Sequence, residues 1–332
     1  MTLLSVRNLH THYHVEQGLL RAVDDASFTI GEGETLGVVG ESGCGKSVTA
    51  RSIMQLLPPR IGEIAKGEIL FASADGPVDI ARLPRNGEAM RRIRGGEIGM
   101  IFQEPMTSLN PVHTIGDQIV EAIRLHQPLS RKAAMARAID LLERVGINEP
   151  ERRARQYPQA FSGGMRQRAM IAMALSCNPR LLIADEPTTA VDVTVEAQIL
   201  ALIEELQAER QMAVMLITHD LNVVGEIADR VIVMYLGQVV ETTTAARVFD
   251  APAHPYTRGL LASLPAIGRR DRLTPIEGSV PGPQERPPGC PFAPRCAQAW
   301  DKCQTRPPTF RVDTETTAAC WLYEDGGRAD AS

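Results

Sequence analysis

Residues 40–47, with the sequence GESGCGKS, have the types and spacing of a phosphate-binding loop. The segment fits the pattern G-x-x-x-x-G-K-[ST] without departure, and that pattern requires a strand before it and a helix after it. In such a loop, backbone N–H groups surround the phosphates, the lysine places a positive charge near the β- and γ-phosphates, and the serine hydroxyl binds Mg²⁺. The sequence therefore predicts nucleotide binding here, in preference to a glycine-rich turn that merely precedes a helix.

Two carboxylates that end an apolar run supply the chemistry that a bound nucleotide needs next. Asp185 and Glu186 directly follow residues 181–184, LLIA. A carboxylate at a strand end can hold Mg²⁺ directly or through water, which we predict for Asp185. A second carboxylate can orient or deprotonate an attacking water, which we predict for Glu186. An acidic pair can also be a plain strand exit, but the phosphate loop in the same chain favours the catalytic interpretation.

A second phosphate-binding element follows from Ser162-Gly163-Gly164. A serine and two glycines that open a helix offer a hydroxyl and unobstructed backbone N–H groups to a phosphate. Residues 40–47 already provide one phosphate site. We therefore expect this segment to contact a nucleotide that is held by a different chain.

Four of the six cysteines form a cluster near the carboxyl terminus with the spacing C-x5-C-x6-C-x16-C. Four thiolates suit either an iron–sulfur cluster or Zn²⁺, and a reducing compartment disfavours disulfides. Zinc sites usually contain tighter cysteine pairs, and this spacing has none, which favours iron–sulfur. Zinc, or an unmetallated or disulfide-bonded state, remains an alternative. Cys44, inside the phosphate loop, is interpreted as a small loop residue rather than a redox switch.

Short apolar runs indicate the strands that would position these groups. Residues 34–39, 181–184, 213–217 and 231–235 are continuous apolar segments of the kind found in parallel strands that are covered on both faces. Their alternation with helical segments predicts an α/β fold. Helical spacing dominates at about 107–165, which predicts a helical subdomain. We predict a nucleotide-binding domain at 1–250 and a separate C-terminal extension at 251–332, entered through a connector rich in proline and glycine.

Composition narrows the classes of function. The 332-residue chain has a net charge of −5, so no overall positive field favours nucleic acid as a partner. No apolar run approaches the roughly 18–20 residues that span a bilayer, and no signal peptide is visible at the amino terminus. We therefore expect a cytoplasmic protein whose contact with a membrane depends on partner subunits.

The order of these motifs resembles that of ABC-transporter ATPases, and the resemblance covers about residues 1–250. It implies a P-loop NTPase fold of the α/β class, with a RecA-like core, an antiparallel β subdomain and a helical subdomain. Gln103 resembles the glutamine that senses Mg²⁺ and the attacking water, His219 the histidine that contacts the γ-phosphate, and Asp192 the aspartate that crosses the dimer interface. Tyr13 is similar to the aromatic residue that stacks on adenine.

The resemblance implies a role for each motif residue. It implies that catalysis is carried by Lys46, Gln103, Glu186 and His219. It implies ATP contacts from Tyr13, Gly40, Ser42, Gly43, Cys44, Gly45, Lys46, Ser47, Val48, Gln103 and Asp185. It implies Mg²⁺ binding by Ser47, Gln103 and Asp185. It implies contacts with the ATP of a partner subunit from Ser162, Gly163, Gly164 and Asp192.

Longer segments resemble one branch of the family, the dipeptide, oligopeptide and nickel importers. These segments are 102–111 (FQEPMTSLNP), 157–168 (YPQAFSGGMRQR) and 254–261 (HPYTRGLL). Met165 is the one departure, since the family at large has glutamine after Ser-Gly-Gly. In this branch, a C-terminal extension carries a [4Fe–4S] cluster, which implies the ligands Cys290, Cys296, Cys303 and Cys320.

We therefore predict an ATP-hydrolysing subunit of an importer for dipeptides or oligopeptides, bound peripherally at the cytoplasmic face of the inner or plasma membrane. Nickel chelates, glutathione and opines are alternative cargoes in this branch. The branch implies a heterodimer with a paralogous ATPase subunit, two transmembrane permease subunits and an extracytoplasmic solute-binding protein. A non-transport ABC ATPase acting on DNA or ribosomes is a remote alternative. A pure iron–sulfur redox protein is disfavoured by the intact Lys46, Glu186 and His219.

Overall fold

The structure, a computed structural model, describes residues 1–16, 18–103, 108–188, 193–264, 275–282 and 285–324. The chain forms two compact units, each assembled from separate stretches of sequence. The first unit comprises Met1–Leu3, Ile30–Glu34 and Phe71–Ile217. The second unit comprises Leu4–Thr29, Thr35–Leu70 and Thr218–Ser332. Within the described ranges, no helix is both long and apolar enough to cross a membrane.

Strands and α-helices are numbered in chain order within the described residues. The strands are β1 (Thr2–Val15), β2 (Gly18–Gly31), β3 (Thr35–Val39), β4 (Gly62–Ser73), β5 (Gly76–Asp79), β6 (Ile98–Ile101), β7 (Leu181–Asp185), β8 (Ala213–Ile217), β9 (Arg230–Tyr235), β10 (Gln238–Thr244), β11 (Phe310–Arg311) and β12 (Thr317–Ala318). The α-helices are α1 (Lys46–Ile53), α2 (Glu88–Arg92), α3 (Ile115–His126), α4 (Arg131–Arg144), α5 (Pro150–Arg153), α6 (Gly163–Ala174), α7 (Val193–Arg210), α8 (Leu221–Ile227), α9 (Ala245–Asp250) and α10 (Pro255–Ala262).

Three parallel strands, β6, β7 and β8, form the sheet of the first unit. All of their residues are buried, as expected for parallel strands that are covered on both faces. In the pairing of β6 with β7, Ile101 lies opposite Ala184, and in the pairing of β7 with β8, Asp185 lies opposite Ile217. The carboxyl ends of these strands therefore reach the same edge, where ligands of open α/β sheets bind.

Helices of the first unit follow β6 in sequence and pack on one another. Residue contacts join α3 to α4, and α6 to α3, α4 and β6. Side chains fix the starts of these helices, because Thr114 caps α3 and Ser130 caps α4. The sequence predicts that Gly146 caps the end of a helix, and it adopts a left-handed φ of 74° two residues after α4, which confirms the prediction.

A mixed sheet forms the centre of the second unit. β3 and β9 are parallel, with Val38 opposite Ile232, and β9 turns back through Leu236 and Gly237 into antiparallel β10. The sheet continues from β10 to β12 and then to β11. Gly237 has a φ of 74°, and a Cβ there would come within 2.5 Å of the Ala22 carbonyl oxygen, so this turn requires glycine.

In a further sheet, β1 lies between β2 and β4. Helix α1 follows the glycine-rich loop after β3. The sequence predicts that α1 continues to Leu57, but it ends at Ile53. Gln55 adopts a left-handed φ of 52°, and the N–H of Leu56 donates to the Arg51 carbonyl, which closes the last turn as a C-terminal cap. The predicted strands at 34–39, 181–184, 213–217 and 231–235 match β3, β7, β8 and β9.

The C-terminal stretch packs within the second unit through aromatic rings. The ring of Phe292 lies 5.3 Å from those of both Tyr235 and Tyr256. The buried carboxylate of Glu241 in β10 accepts hydrogen bonds from the backbone N–H groups of Ala253 and His254 at the start of α10. An α/β fold is confirmed, while the domain boundaries at about residues 107, 165 and 250 stay predictions.

Candidate active site

The phosphate loop between β3 and α1 has a backbone that only glycine can adopt at two positions. Gly40 has a φ of 148°, and a Cβ there would lie 2.3 Å from the Met234 carbonyl oxygen. Gly45 has a φ of 100°, and a Cβ there would lie 2.6 Å from the Ala22 carbonyl oxygen. The loop therefore packs closely against the backbone at Met234 and at Ala22, and this packing fixes the positions of its N–H groups.

Lys46 opens α1 and is held against this loop. The residue is 4% exposed. Its Nζ donates to the carbonyl oxygens of Gly40 at 2.7 Å and Glu41 at 3.1 Å. The ammonium group therefore lies across the loop, where a P-loop lysine contacts phosphate oxygens. Burial raises the pKa of the Cys44 thiol despite the nearby Lys46, so this thiol is protonated at neutral pH, as expected for a plain loop residue.

His219 lies in the second unit, as does the phosphate loop. The N–H of the preceding residue, Thr218, donates to the carbonyl oxygen of Val38 at 3.2 Å, and Val38 belongs to the strand that enters the loop. Asp220 caps α8 through its side chain, which accepts from the N–H of Asn222. His219 is exposed and is held between these two anchored residues.

Tyr13 lies in β1, on the same unit. Two positions earlier, Thr11 forms a 2.8 Å hydrogen bond with Ser52 of α1, which ties β1 to the helix that follows the loop. The ring of Tyr13 packs on Gly62, where a Cβ would come within 2.8 Å of the ring. Burial raises the pKa of the Tyr13 hydroxyl. Its predicted stacking on adenine stays a prediction.

Gln103, Asp185 and Glu186 lie in the first unit. Gln103 Nε2 donates to Glu186 Oε2 at 3.0 Å. The register explains this contact, because each residue comes two positions after the paired residues Ile101 and Ala184. Asp185 is 1% exposed at the end of β7. Glu186 leaves the strand with a left-handed φ of 50°, a strained conformation that its own N–H fixes by donating to the Ile217 carbonyl.

The second phosphate-binding segment opens α6. The Ser162 hydroxyl accepts from the N–H of Met165 at 3.3 Å and caps the helix. A Cβ added at Gly163 would meet nothing within 4 Å, so the space in front of this residue is open. The capped serine still carries a hydroxyl proton that it can donate to a phosphate oxygen.

Gln167, for which no sequence motif predicts a role, connects this segment to the acidic pair. Its Nε2 donates to the carbonyl oxygen of Pro187, the residue after Glu186. Gln167 is 1% exposed, and its Oε1 is buried without a hydrogen-bond partner among the described residues. The signal in the sequence was a polar residue five positions after Ser162, on an otherwise apolar helix face.

Asp192 lies outside the described residues, as does the segment 104–107. The other predicted site residues form two groups. One group belongs to the second unit and comprises the phosphate loop with Val48, Tyr13 and His219. The other belongs to the first unit and comprises Gln103, Asp185, Glu186 and Ser162–Gly164.

The four clustered cysteines line one small enclosed cavity together with His254. Burial raises the pKa of the Cys290 and Cys296 thiols, and raises that of Cys320 to about 11. His254 is an unsuitable ligand, because Nδ1 accepts from the Tyr256 N–H and the ring also bonds to the backbone of Ala319. Among the described residues, no three His, Cys, Asp or Glu side chains are grouped closely enough to hold a single metal ion.

Comparison with known proteins decides the family. Residues 23–189 match the family model for ABC transporters, and residues 240–303 match the model for the C-terminal region of oligopeptide/dipeptide transporters. The chain belongs to the ABC-transporter ATP-binding subunits of the oligopeptide/dipeptide branch. It is therefore an ABC ATPase, whose ligands are ATP and Mg²⁺.

Full-length relatives agree with this membership. The chain is 51% identical to the oligopeptide transport ATP-binding protein AppD of Bacillus subtilis (strain 168), over 98% of each chain. It is 50% identical to the dipeptide transport ATP-binding protein DppD of the same organism, over 97% of this chain and 95% of DppD. The solved ATP-binding cassette MJ0796, a dimer in a post-hydrolysis state bound to ADP and Pi, is 27% identical and aligns with a TM-score of 0.64 over 73% of this chain and 99% of its own.

Proposed function

We propose that this chain hydrolyses ATP to drive the import of dipeptides or longer peptides through a membrane transporter. The observation that carries this proposal is the full-length similarity, at about half of all positions, to ATP-binding proteins of dipeptide and oligopeptide transport. The C-terminal match to oligopeptide/dipeptide transporters adds a second, separate segment. Nickel chelates, glutathione and opines remain the alternative cargoes.

In the proposed reaction, a water attacks the γ-phosphorus of ATP in line with the leaving ADP oxygen. Lys46 offsets the negative charge that develops on the phosphate oxygens, and Glu186 accepts a proton from the water or aligns it. His219 donates a hydrogen bond to the γ-phosphate. The backbone N–H groups of the loop, including those of Gly43, Gly45 and Val48, hold the phosphates at fixed positions.

Ser47, Gln103 and Asp185 are the proposed Mg²⁺ ligands. Their hydroxyl, amide and carboxylate oxygens are ligands of the kind that Mg²⁺ binds. Asp185 is a buried carboxylate, and a bound cation would stabilise its negative charge. When bound, Mg²⁺ neutralises charge on the β- and γ-phosphates. Gln103 has a further role in this proposal, because its hydrogen bond restricts the rotation of the Glu186 carboxylate.

We further propose that Ser162, Gly163, Gly164 and Asp192 act on ATP held by a second ATPase subunit, a paralogue of this chain. The open space at Gly163 and the capped hydroxyl of Ser162 suit the approach of a polyphosphate. Two permease subunits and an extracytoplasmic solute-binding protein complete the proposed transporter. This subunit would then bind at the cytoplasmic face of the membrane. Residues 1–250 would form the ATPase domain, which includes a helical subdomain at about 107–165, and residues 251–332 would form the C-terminal extension.

For Cys290, Cys296, Cys303 and Cys320 we propose a [4Fe–4S] cluster, with zinc as the alternative. The donor set fits, since four thiols, of which those of Cys290 and Cys320 are buried and the other two partly buried, line one cavity. A zinc ion needs all four sulfurs at about 2.3 Å from one point, whereas each cysteine of an iron–sulfur cluster binds a different iron. The sequence spacing of the four cysteines, which contains no tight pair of the kind usual in zinc sites, favours the iron–sulfur cluster. When bound, it would cross-link the extension.

The ATPase assignment is tested with Glu186→Gln in the assembled transporter. We expect ATP hydrolysis to fall by about 100-fold or more, while binding of Mg-ATP persists. Glu209→Gln is the matched control, because Glu209 is a surface carboxylate of the same unit that pairs with Arg144. Undiminished hydrolysis in Glu186→Gln would overturn the catalytic role. The cargo is tested by adding candidate solutes to the wild-type transporter. We expect peptides to stimulate its ATP hydrolysis and nickel chelates not to.

A further inference from the structure

We propose that Arg295, in the cysteine-bearing C-terminal stretch, is a positioning residue for the ATP-binding loop. It neutralises and fixes Glu41, the first variable residue of that loop. The inference rests on the proposed role of residues 40–47 in ATP binding. By this proposal the C-terminal extension contributes directly to nucleotide affinity, through Arg295 and not through its cysteine cavity.

Glu41 is held at its side chain by a two-pronged ion pair. Arg295 Nη1 lies 2.7 Å from Glu41 Oε2, and Nη2 lies 3.1 Å from Oε1. The Arg295 side chain is 4% exposed, so water weakens this pair much less than a surface ion pair. A fork of two parallel bonds fixes the direction of the carboxylate as well as its charge.

The backbone of Glu41 is held by two further contacts. Its N–H donates to the Tyr256 hydroxyl at 2.8 Å, and Tyr256 belongs to α10 at the start of the extension. Its carbonyl oxygen accepts from Lys46 Nζ at 3.1 Å. A shift of Glu41 would therefore move one of the two carbonyl groups that hold the phosphate-binding lysine.

Arg295 is itself fixed before it meets Glu41. Its Nε donates to the carbonyl oxygen of Glu277 at 3.0 Å. Its guanidinium lies 5.9 Å from the centre of the Tyr235 ring, and its Nη1 contacts the Tyr235 hydroxyl at 3.4 Å. The guanidinium group is thus preorganised for the carboxylate.

The ion pair between Arg295 and Glu41 prevents repulsion between the Glu41 carboxylate and a bound nucleotide. Nucleotide phosphates carry several negative charges, and an uncompensated carboxylate in the loop that binds them would repel them. The Glu41 side chain is 28% exposed, so it is only partly screened by water. Pairing with Arg295 makes this position neutral, and the loop keeps a net positive charge at Lys46.

The test measures the dissociation constants of Mg-ATP and of adenosine in the complete transporter. For Arg295→Ala we expect about ten-fold weaker Mg-ATP binding, with adenosine binding changed less than about two-fold because adenosine has no phosphates. Adding Glu41→Gln to Arg295→Ala removes the unpaired carboxylate and should restore most of the affinity. Arg295→Lys keeps the charge without the fork and should be intermediate.

Arg311→Ala is the matched control, since Arg311 is an exposed arginine of the same C-terminal stretch that bonds the Asp313 carbonyl. Unchanged Mg-ATP binding in Arg295→Ala would overturn the inference. Equal weakening of ATP and adenosine binding would also overturn it, because that result indicates a merely structural role. A double variant no better than Arg295→Ala would overturn it too, because the unpaired charge of Glu41 would then not be what weakens binding. If the wild-type transporter does not bind Mg-ATP at all, the proposed function fails instead.

Discussion

Gln103 donates a hydrogen bond from Nε2 to Glu186 Oε2 at 3.0 Å, although 83 residues separate the two in the sequence. The in-register pairing of β6 with β7 produces this contact, because each side chain follows its strand by two residues. The amide therefore holds one oxygen of the proposed catalytic carboxylate.

Replacing Gln103 by alanine should lower the rate of ATP hydrolysis by about ten-fold or more, because Glu186 loses the group that orients it. Mg-ATP affinity should change less than kcat. Steady-state ATPase assays on the assembled transporter measure both. Gln159→Ala serves as control, since Gln159 is an exposed glutamine of the same unit that donates to the Pro111 carbonyl at 3.0 Å. A kcat equal to that of the control would contradict the orienting role.

Ser162 and Ser130 form a matched pair of helix caps. Each serine accepts from the backbone N–H three residues ahead, at 3.3 Å and 3.2 Å. Alanine at either position should cost about 1 kcal/mol of stability. Only Ser162→Ala should also reduce ATP hydrolysis in the two-subunit complex, because only Ser162 is proposed to reach the partner's ATP. Denaturant unfolding and ATPase assays, run on both variants, separate capping from catalysis; equal activity in the two would sink the proposal.

Asp24 should make the second unit sensitive to acid. Burial acts to raise the pKa of Asp24, but Arg286 and Arg306 outweigh it and hold the pKa below its ordinary value. Because the folded-state pKa is lowered, the stabilisation is present above about pH 4 and is lost as pH falls through the folded value.

Asp24→Asn should therefore reduce the free energy of unfolding at neutral pH by about 2–3 kcal/mol, since Arg286 would lose its carboxylate partner. The variant should also lose less stability than the wild type on acidification below about pH 4. Denaturant titrations at a series of pH values measure both effects. Asp25→Asn, at the more exposed neighbouring residue, should show neither. Parallel pH curves for Asp24→Asn and wild type would refute the prediction.

Cys320 and Cys177 are equally buried, at 8% exposure, but only Cys320 lines the four-cysteine cavity. Cys320→Ser in anaerobically purified protein should remove broad visible absorption and most bound iron and sulfide. Cys177→Ser should leave them unchanged. Stoichiometric zinc without iron or sulfide in the wild type would show the alternative metal instead.

The local sequence was sufficient to predict those parts of the site that each depend on one short segment. The strand before residue 40, the glycines that permit the loop, the helix after Lys46 and the buried strand before Asp185 were all predicted, because each follows from periodicity or from the conformational freedom of glycine. The end of α1 was predicted four residues too late, since a left-handed Gln55 stops it and glutamine carries no strong turn signal.

The sequence by itself therefore determined the nucleotide chemistry and the resemblance to peptide importers. Only the tertiary structure decided which distant groups meet: Gln103 with Glu186, Gln167 with the Pro187 carbonyl, and Arg295 with Glu41 across 254 residues. Such contacts depend on strand register and on the packing of separate segments, and these are properties of the whole chain that no local pattern encodes.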